Sequence, residues 1–127
     1  MSVRRVDVLS DIKDKGLSII DLDEFNDYPF EVTEKAIINF APGQVGGNHS
    51  HSRWEAFIAI GSGLTIVWQE ENGLRKESLM NPGGQYFIYL VPPGTPHAVI
   101  NKSETEKGIL LEFASGPQKE VKPADLV

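Results

Sequence analysis

Short apolar segments rich in Val, Ile, Phe and Tyr, separated by Gly, Pro or Asn at intervals of about ten residues, constrain this fold most. Segments of this length and composition are typical of all-β proteins, and no helical apolar stripe accompanies them. The pattern predicts an all-β barrel or sandwich. We expect its strands at Val3–Leu9, Leu17–Ile20, Glu31–Phe40, Glu55–Ile60, Leu64–Glu70, Leu74–Leu79, Gln85–Val91, His97–Asn101 and Ile109–Ala114.

Two local features refine this prediction. Asn72-Gly73 lies between two of the expected strands and tolerates positive φ at little cost, so it predicts a hairpin. A length of 127 residues favours one domain over residues 1–127, with an N-terminal edge strand and loop (1–30), a barrel core (31–115) and a C-terminal tail (116–127). The apolar residues Val3, Val6 and Val8 on the edge strand predict a homodimer, because an unpaired edge favours pairing with a second copy.

The charge balance argues against several partners. Twelve Lys and Arg against eighteen Asp and Glu give a net charge of −6, which disfavours nucleic acid and anionic membranes. The chain has no Cys, so any metal site must use nitrogen and oxygen ligands. No apolar stretch approaches the roughly 18 residues of a membrane span, and no apolar segment of a signal peptide follows the first residues. We therefore expect a cytoplasmic protein.

The chain has three histidines, and each lies beside turn residues at the start of a strand. His49 and His51 are two residues apart, so in an extended chain their side chains leave the same face with Cα atoms about 6.5 Å apart. Glu55 has the same parity if the intervening residues stay near extended. His97, which follows a Pro-rich turn, could supply a fourth ligand from a distant strand. These four residues suit Fe(II), Mn, Ni, Zn or Cu(II) and would leave open positions on the ion. The alternative is a set of polar rim residues.

The spacing of these residues resembles the two motifs of the cupin superfamily. The first motif, G-x5-H-x-H-x3-E-x6-G, matches Gly43–Glu55, which reads GQVGGNHSHSRWE. The second, G-x5-P-x-G-x2-H-x3-N, matches from its proline in Pro92–Asn101, which reads PPGTPHAVIN. Only the glycines that flank the motifs differ, because they lie one or two residues from the positions that the motifs expect. The resemblance implies a double-stranded β-helix with His49, His51, Glu55 and His97 as ligands of one divalent transition metal.

The flanking segments DKGLSIIDL, PFEV and ILLEFASGP are similar to those of sugar-nucleotide ketoisomerase and epimerase cupins. That resemblance implies isomerisation by the motif histidines without a metal, helped by a Tyr and an Arg on the strand ahead of the His-x-His. Here that strand reads Ala36-Ile37-Ile38-Asn39-Phe40, so both helpers are missing. Their absence argues against a simple transfer of the reaction.

Alternation predicts which other side chains line the site. Phe57 shares the face of Glu55, and Asn101 shares the face of His97. On the neighbouring strand, either Phe87 and Tyr89 or Tyr86 and Ile88 face inside, and the first pair is favoured because Val91 then shares its face. Tyr89 is then a candidate acid or a core residue. Arg53 is a candidate for binding an anionic substrate at the mouth, or a surface ion-pair residue. We accordingly predict Phe57, Phe87, Asn101 and Arg53 as substrate-binding residues and Tyr89 and Glu55 as catalytic ones.

The position of Glu112 in Ile109-Leu110-Leu111-Glu112-Phe113 leaves it facing either solvent or the site. For a metal-binding cupin, the resemblance of the flanking segments implies isomerase or epimerase chemistry, and the charge balance favours a free sugar or a small hydroxy or keto acid as substrate. An Fe(II)-dependent dioxygenase and a cupin that binds a ligand without turnover are the alternatives. All three take a small molecule as partner.

Overall fold

The computed structural model describes residues 2–7 and 10–127 and is all-β, as predicted. Two 3-10 turns, Leu22–Glu24 and Pro82–Gly84, interrupt the strands. The strands of these described residues are β1 Arg4–Val6, β2 Asp11–Asp14, β3 Leu17–Ile20, β4 Glu34–Phe40, β5 Val45–Ser50, β6 Glu55–Ile60, β7 Leu64–Gln69, β8 Arg75–Leu79, β9 Ile88–Val91, β10 His97–Asn101, β11 Gly108–Ala114 and β12 Lys122–Pro123.

The strands form two five-stranded antiparallel sheets and a separate hairpin of β2 and β3. The first sheet has the order β1-β9-β6-β11-β4, and the second has the order β12-β5-β10-β7-β8. Sequential neighbours such as β5 and β6 lie in different sheets, so the chain crosses repeatedly between the layers. This arrangement is a jelly-roll sandwich.

The core between the sheets follows the predicted alternation. Phe57 and Tyr89 from the first sheet pack in one buried cluster with Ile66 and Val99 from the second. The opposite face of the first sheet is also covered, because Ile58 and its neighbours pack against aromatic residues of the N-terminal segment. Burial on both faces explains why β6 reads as a continuous apolar run rather than as alternating residues.

Most predicted strands are confirmed to within three residues at each end, and the hairpin of β7 and β8 around Asn72-Gly73 forms as expected. Gly73 has a φ of 87°, and glycine adopts this positive φ without the steric cost that a side chain would bring. The predicted strand Val3–Leu9 is observed as Arg4–Val6 at a sheet edge, and its residues Val8 and Leu9 lie outside the described residues. Strand β5 was not predicted.

Across the described parts of the chain, no helix has both the length and the apolar character required to span a bilayer.

Candidate functional site

The structure brings the three imidazoles and the Glu55 carboxylate to one place between the sheets. His49 lies near the end of β5, His51 follows it, Glu55 begins β6 and His97 begins β10. The ring centroids of His49 and His51 are 4.9 Å apart, those of His49 and His97 5.2 Å, and those of His51 and His97 4.9 Å. One possible ligand atom from each ring lies within 4.8 Å of the others.

A β-bulge in β5 turns His49 into the site. His97 pairs with His49 but Ala98 pairs with Gly47, so Asn48 is an extra residue in β5 and has a φ of 63°. Gly46 must be small, because a Cβ there would lie 2.7 Å from the Phe40 ring. The segment Val45-Gly46-Gly47-Asn48 therefore forms a strand through its pairing with β10 and β12, not through its own propensity, which is why the sequence did not predict it.

Glu55 is the central group of the cluster. Its Oε1 lies 2.9 Å from the Nε2 atoms of both His51 and His97, and its side chain is 1% exposed. Within residues 2–7 and 10–127, neither Glu55 Oε1 nor His51 Nε2 has a hydrogen-bond partner, although the two atoms lie 2.9 Å apart. Adjacent ligands of an octahedral divalent ion with bonds of about 2.1 Å lie about 3.0 Å apart. The contacts therefore fit ligands that could share one ion.

The tautomer of His97 fits the same interpretation. Its Nδ1 lies 2.8 Å from the Thr95 carbonyl oxygen, which can only accept a hydrogen bond. Nδ1 therefore carries a proton, and Nε2, which lies 2.9 Å from Glu55 Oε1, is the ring nitrogen that could bind an ion. The contact with Thr95 holds the ring in one orientation, as a hydrogen bond at the other ring nitrogen does for metal-binding histidines in general.

Arg53, predicted as either a substrate-binding or an ion-pair residue, is 8% exposed, pairs with three carboxylates and does not line the cavity. Its Nε and Nη2 donate to Glu55 Oε2 at 3.0 and 2.6 Å, and Nη2 also donates to Glu112 Oε1 at 2.8 Å. Its Nη1 donates to Glu34 and to the Gly116 carbonyl. These five bonds use all five guanidinium donors. Arg53 therefore orients the Glu55 carboxylate and has no donor left for a ligand.

Glu112, whose orientation the sequence left open, faces the site. Its side chain is 14% exposed, lines the cavity beside Glu55 and is held by Arg53. Burial, and after it the hydrogen bond and charge of neighbouring Glu55, raises the pKa of the Glu112 carboxyl to about 8. The sequence alone does not place the Glu112 carboxyl in the site. Its position follows from the pairing of β11 with β6, in which Glu112 lies opposite Phe57.

Two other groups of the cluster have shifted pKa values. Burial opposes ionisation of Glu55, but its contacts with His51, His97 and Glu112 outweigh burial and hold its pKa well below the usual range. Burial, and after it the neighbouring His97 and His51, lowers the pKa of His49. Both shifts favour the ionisation states of metal ligands, an anionic carboxylate and a neutral imidazole.

The cluster opens into a cavity of about 190 Å³ between the sheets. Its polar lining comes from the cluster, from Glu112 and from the exposed Gln118 of the C-terminal tail. The rest of the wall is mainly apolar and includes the predicted residue Phe57, whose ring centroid is 6.0 Å from that of His97. The other apolar lining residues are Ile38, Phe40, Val99 and Leu110.

Tyr89 and Phe87 do not line this cavity. The hydroxyl of Tyr89 lies 2.7 Å from the Ser78 hydroxyl and donates to the Leu79 carbonyl, so Tyr89 is placed as a core residue with a satisfied hydroxyl. Phe87 is buried in the same core, with the Arg5 guanidinium 4.5 Å from its ring centroid. Neither side chain is placed to contact a ligand at the cluster.

Asn101 serves the fold rather than a ligand. Its Nδ2 lies within hydrogen-bond distance of the carbonyl oxygens of Phe40, Ala41 and Glu106, and its Oδ1 accepts from the Ser103 amide. The residue is 1% exposed. Alternation indicated its face correctly, but backbone groups occupy the Asn101 amide, and the residue does not line the cavity.

Comparison with known proteins identifies the fold. A dTDP-sugar isomerase from Desulfovibrio desulfuricans is 16% identical, with a TM-score of 0.77, over 98% of this chain and 84% of that one. A 3,4-ketoisomerase from Helicobacter canadensis is 20% identical, with a TM-score of 0.71, over 94% of this chain and 87% of that one. The chain has a cupin fold. The capsular polysaccharide assembling protein CapF from Staphylococcus aureus also matches, at 19% identity and a TM-score of 0.66, over 95% of this chain and 33% of CapF.

At these identities the similarity concerns the fold of the cupin. No protein-family model and no curated protein sequence matches the chain. The cupin fold expected from the two motifs is confirmed, and the chemistry has to be argued from the residues of the site.

Proposed function

We propose that this cupin is a metal-dependent isomerase that acts on a sugar or a similar small carbonyl compound. The observation that carries the proposal is the position of Glu55 Oε1, 2.9 Å from two imidazole nitrogens at the base of a mainly apolar cavity. The isomerases of similar fold support the choice of reaction class. The strand β4 contributes only Ile38 and Phe40 to the cavity wall, so the Tyr and Arg that would assist a metal-free isomerisation are missing. Their absence favours a reaction that depends on a metal ion.

His49, His51, Glu55 and His97 would hold the ion, and Fe, Mn, Ni, Zn and Cu all accept this ligand set. When bound, such an ion supplies polarisation of a carbonyl oxygen. The chain supplies the orientation of the ligands, since Thr95 fixes the His97 ring and Arg53 fixes Glu55. The apolar walls exclude water, which strengthens charge interactions inside the cavity.

We assign the proton transfer to Glu112, the carboxyl that lines the cavity and lies outside the four-ligand set among the described residues. Its ionised form, which is the minor form at pH 7 because the pKa is about 8, takes the proton from the carbon next to the carbonyl group. The protonated carboxyl exchanges its proton with solvent and then protonates the former carbonyl carbon in an isomerisation, while a hydroxyl proton moves between the two oxygens. Atoms and electrons balance within the substrate, so no external oxidant is needed.

Exchange with solvent deuterium tests this assignment. With metal-loaded protein and a panel of free pentoses and hexoses in D2O, we expect deuterium at the carbon that gains the proton, without oxygen uptake. Glu112→Gln should lower the exchange rate at least about 100-fold with unchanged metal content, because it removes the proton acceptor. Glu34→Gln is the matched control, since Glu34 also binds Arg53 but does not line the cavity. Oxygen consumption without deuterium incorporation would contradict the isomerase and support a dioxygenase.

The pH dependence of metal binding follows from the imidazoles. Protons compete with the ion for the ring lone pairs, and the lowered pKa of His49 moves this competition below the usual value of about 6.5. We expect full occupancy at neutral pH and a progressive loss below about pH 6. Metal analysis after equilibrium dialysis at several pH values measures this occupancy. Occupancy that stays constant down to pH 5 would argue against imidazole ligands.

A further inference from the structure

Residues 116–126, here called the strap, follow the last strand of the first sheet and attach to the strand that carries His49. They include β12, which forms the edge of the second sheet and pairs with β5 through Lys122 with Ser50 and Pro123 with His49. Residues 117–123 are all exposed, so burial of apolar surface contributes little to the position of the strap. Its attachment therefore depends mainly on hydrogen bonds.

The first half of the strap contacts the two residues that follow His51. The Ser52 amide and hydroxyl both donate to the Lys119 carbonyl, at 3.0 and 3.2 Å. Arg53 Nη1 donates to the Gly116 carbonyl at 3.1 Å, and the same guanidinium holds the carboxylate of the four-ligand set. These strap contacts are thus made one residue from His51 and on the side chain that orients Glu55.

The second half of the strap holds the bulge that precedes His49. Gly47 and Asn48 have φ values of 77° and 63°, and a residue other than glycine is sterically disfavoured in this conformation. The Ala124 amide donates to the Asn48 carbonyl at 2.8 Å, and the Leu126 amide donates to Asn48 Oδ1 at 2.8 Å. Both bonds stabilise the bulge, and the bulge turns His49 into the site.

We propose that the strap is a positioning segment for the metal site, and that its docking on β5 and the binding of the ion favour each other. The docked strap holds the backbone beside three of the four ligands, so the ion binds this state more tightly. By thermodynamic linkage, the ion then holds the strap in place by the same factor. Gln118 belongs to the strap and lines the cavity, so the ion also fixes this part of the cavity wall. The proposal rests on the ion binding in the proposed function and not on the reaction.

The affinity of full-length variants for each candidate divalent ion tests the proposal. Ala124→Pro removes the amide that donates to Asn48, and proline is compatible with this position because Pro123 already lies in a strand. We expect Ala124→Pro to raise the metal Kd about tenfold, the lower end of the effect of groups that orient metal ligands. Ala124→Ser, which keeps the amide, should retain the natural Kd. Neither variant should change the melting temperature in chelator, because the strap is exposed.

A second variant breaks the other bond to the bulge. Asn48→Gly keeps the positive φ and removes the side-chain acceptor of the Leu126 amide, so it should also raise the metal Kd about tenfold. Lys15→Gly is the matched control, since Lys15 has a φ of 51° in the turn between β2 and β3. The control should bind metal with the natural Kd.

Amide hydrogen exchange gives an independent readout in the natural protein. With metal bound, the amides of Ala124 and Leu126 should exchange about tenfold more slowly than in chelator, because linkage makes the two effects reciprocal. The Gly73 amide, which donates to the Glu70 carbonyl at 2.9 Å in the hairpin turn, is the control and should exchange at the same rate in both conditions.

Natural metal affinity in both Ala124→Pro and Asn48→Gly overturns the proposal, and so does exchange of the strap amides that metal leaves unchanged. A natural protein that binds none of the candidate metals overturns the proposal together with the metal-dependent function. Metal binding that the two variants weaken, without deuterium incorporation into any sugar, supports the coupling and overturns only the proposed reaction.

Discussion

Replacing Arg53 by Met is expected to destabilise the metal-free protein by about 3–5 kcal/mol, because it leaves buried carboxylates without their cation. Arg53 is 8% exposed and binds Glu55, whose side chain is 1% exposed, together with Glu112. Met keeps much of the apolar side-chain length and removes the charge. For a chain of this length, the change corresponds to a melting temperature lower by about 10–20 °C.

Thermal unfolding in the presence of a chelator measures this effect separately from metal binding. Arg75→Met is the matched control, since Arg75 pairs with Glu77 at the surface and both side chains are nearly half exposed. Exposed ion pairs contribute little to stability, so we expect a small change there. If the two variants unfold at the same temperature, the Arg53 network does not stabilise the site as described.

Replacing His51 by Leu is expected to change stability mainly when metal is present. The ring of His51 is buried, and its Nε2 lies 2.9 Å from Glu55 Oε1. In chelator, an apolar side chain removes buried ring nitrogens that lack a hydrogen-bond partner in the described part of the chain. It also removes the contact that helps keep Glu55 ionised, so we expect a modest loss of stability. With metal, the variant should lose the stabilisation that the natural protein gains from the ion.

Melting temperatures with and without added metal measure this difference. At a free metal concentration about 1,000-fold above Kd, the natural protein gains about 4 kcal/mol, or roughly 10–20 °C, and His51→Leu gains almost nothing. Val99→Ala is the control, because Val99 lines the cavity but offers no ligand atom. A metal-induced shift in His51→Leu equal to that of the natural protein would remove His51 from the ligand set.

The sequence indicated the convergence of the cluster because spacing and strand parity are local properties. His49, His51 and Glu55 occupy one short stretch, and His97 begins a strand whose limits were predicted correctly. Turn residues were equally informative, as the hairpin at Asn72-Gly73 shows. Residue spacing, strand parity and turn residues depend on residues that are close in the sequence, so they can be predicted without knowledge of the tertiary structure.

Features set by tertiary pairing were not predictable in the same way. Strand β5 contains two glycines and the bulge residue Asn48, and it exists because β10 and β12 pair with it. Alternation placed Tyr89 and Asn101 on the correct faces, but it could not show that Ser78 or the Phe40 carbonyl would occupy their polar groups. The five hydrogen bonds of Arg53 reach four residues in three separate stretches of the chain, and no local pattern reveals such a network.

Anomalous diffraction from crystals of the protein grown with each candidate metal, recorded on both sides of its absorption edge, tests the shared ion most directly. The account predicts one strong peak in bonding contact with the three imidazoles and Glu55 Oε1. A cluster without an anomalous peak at saturating metal, or a peak held by other side chains, would contradict it.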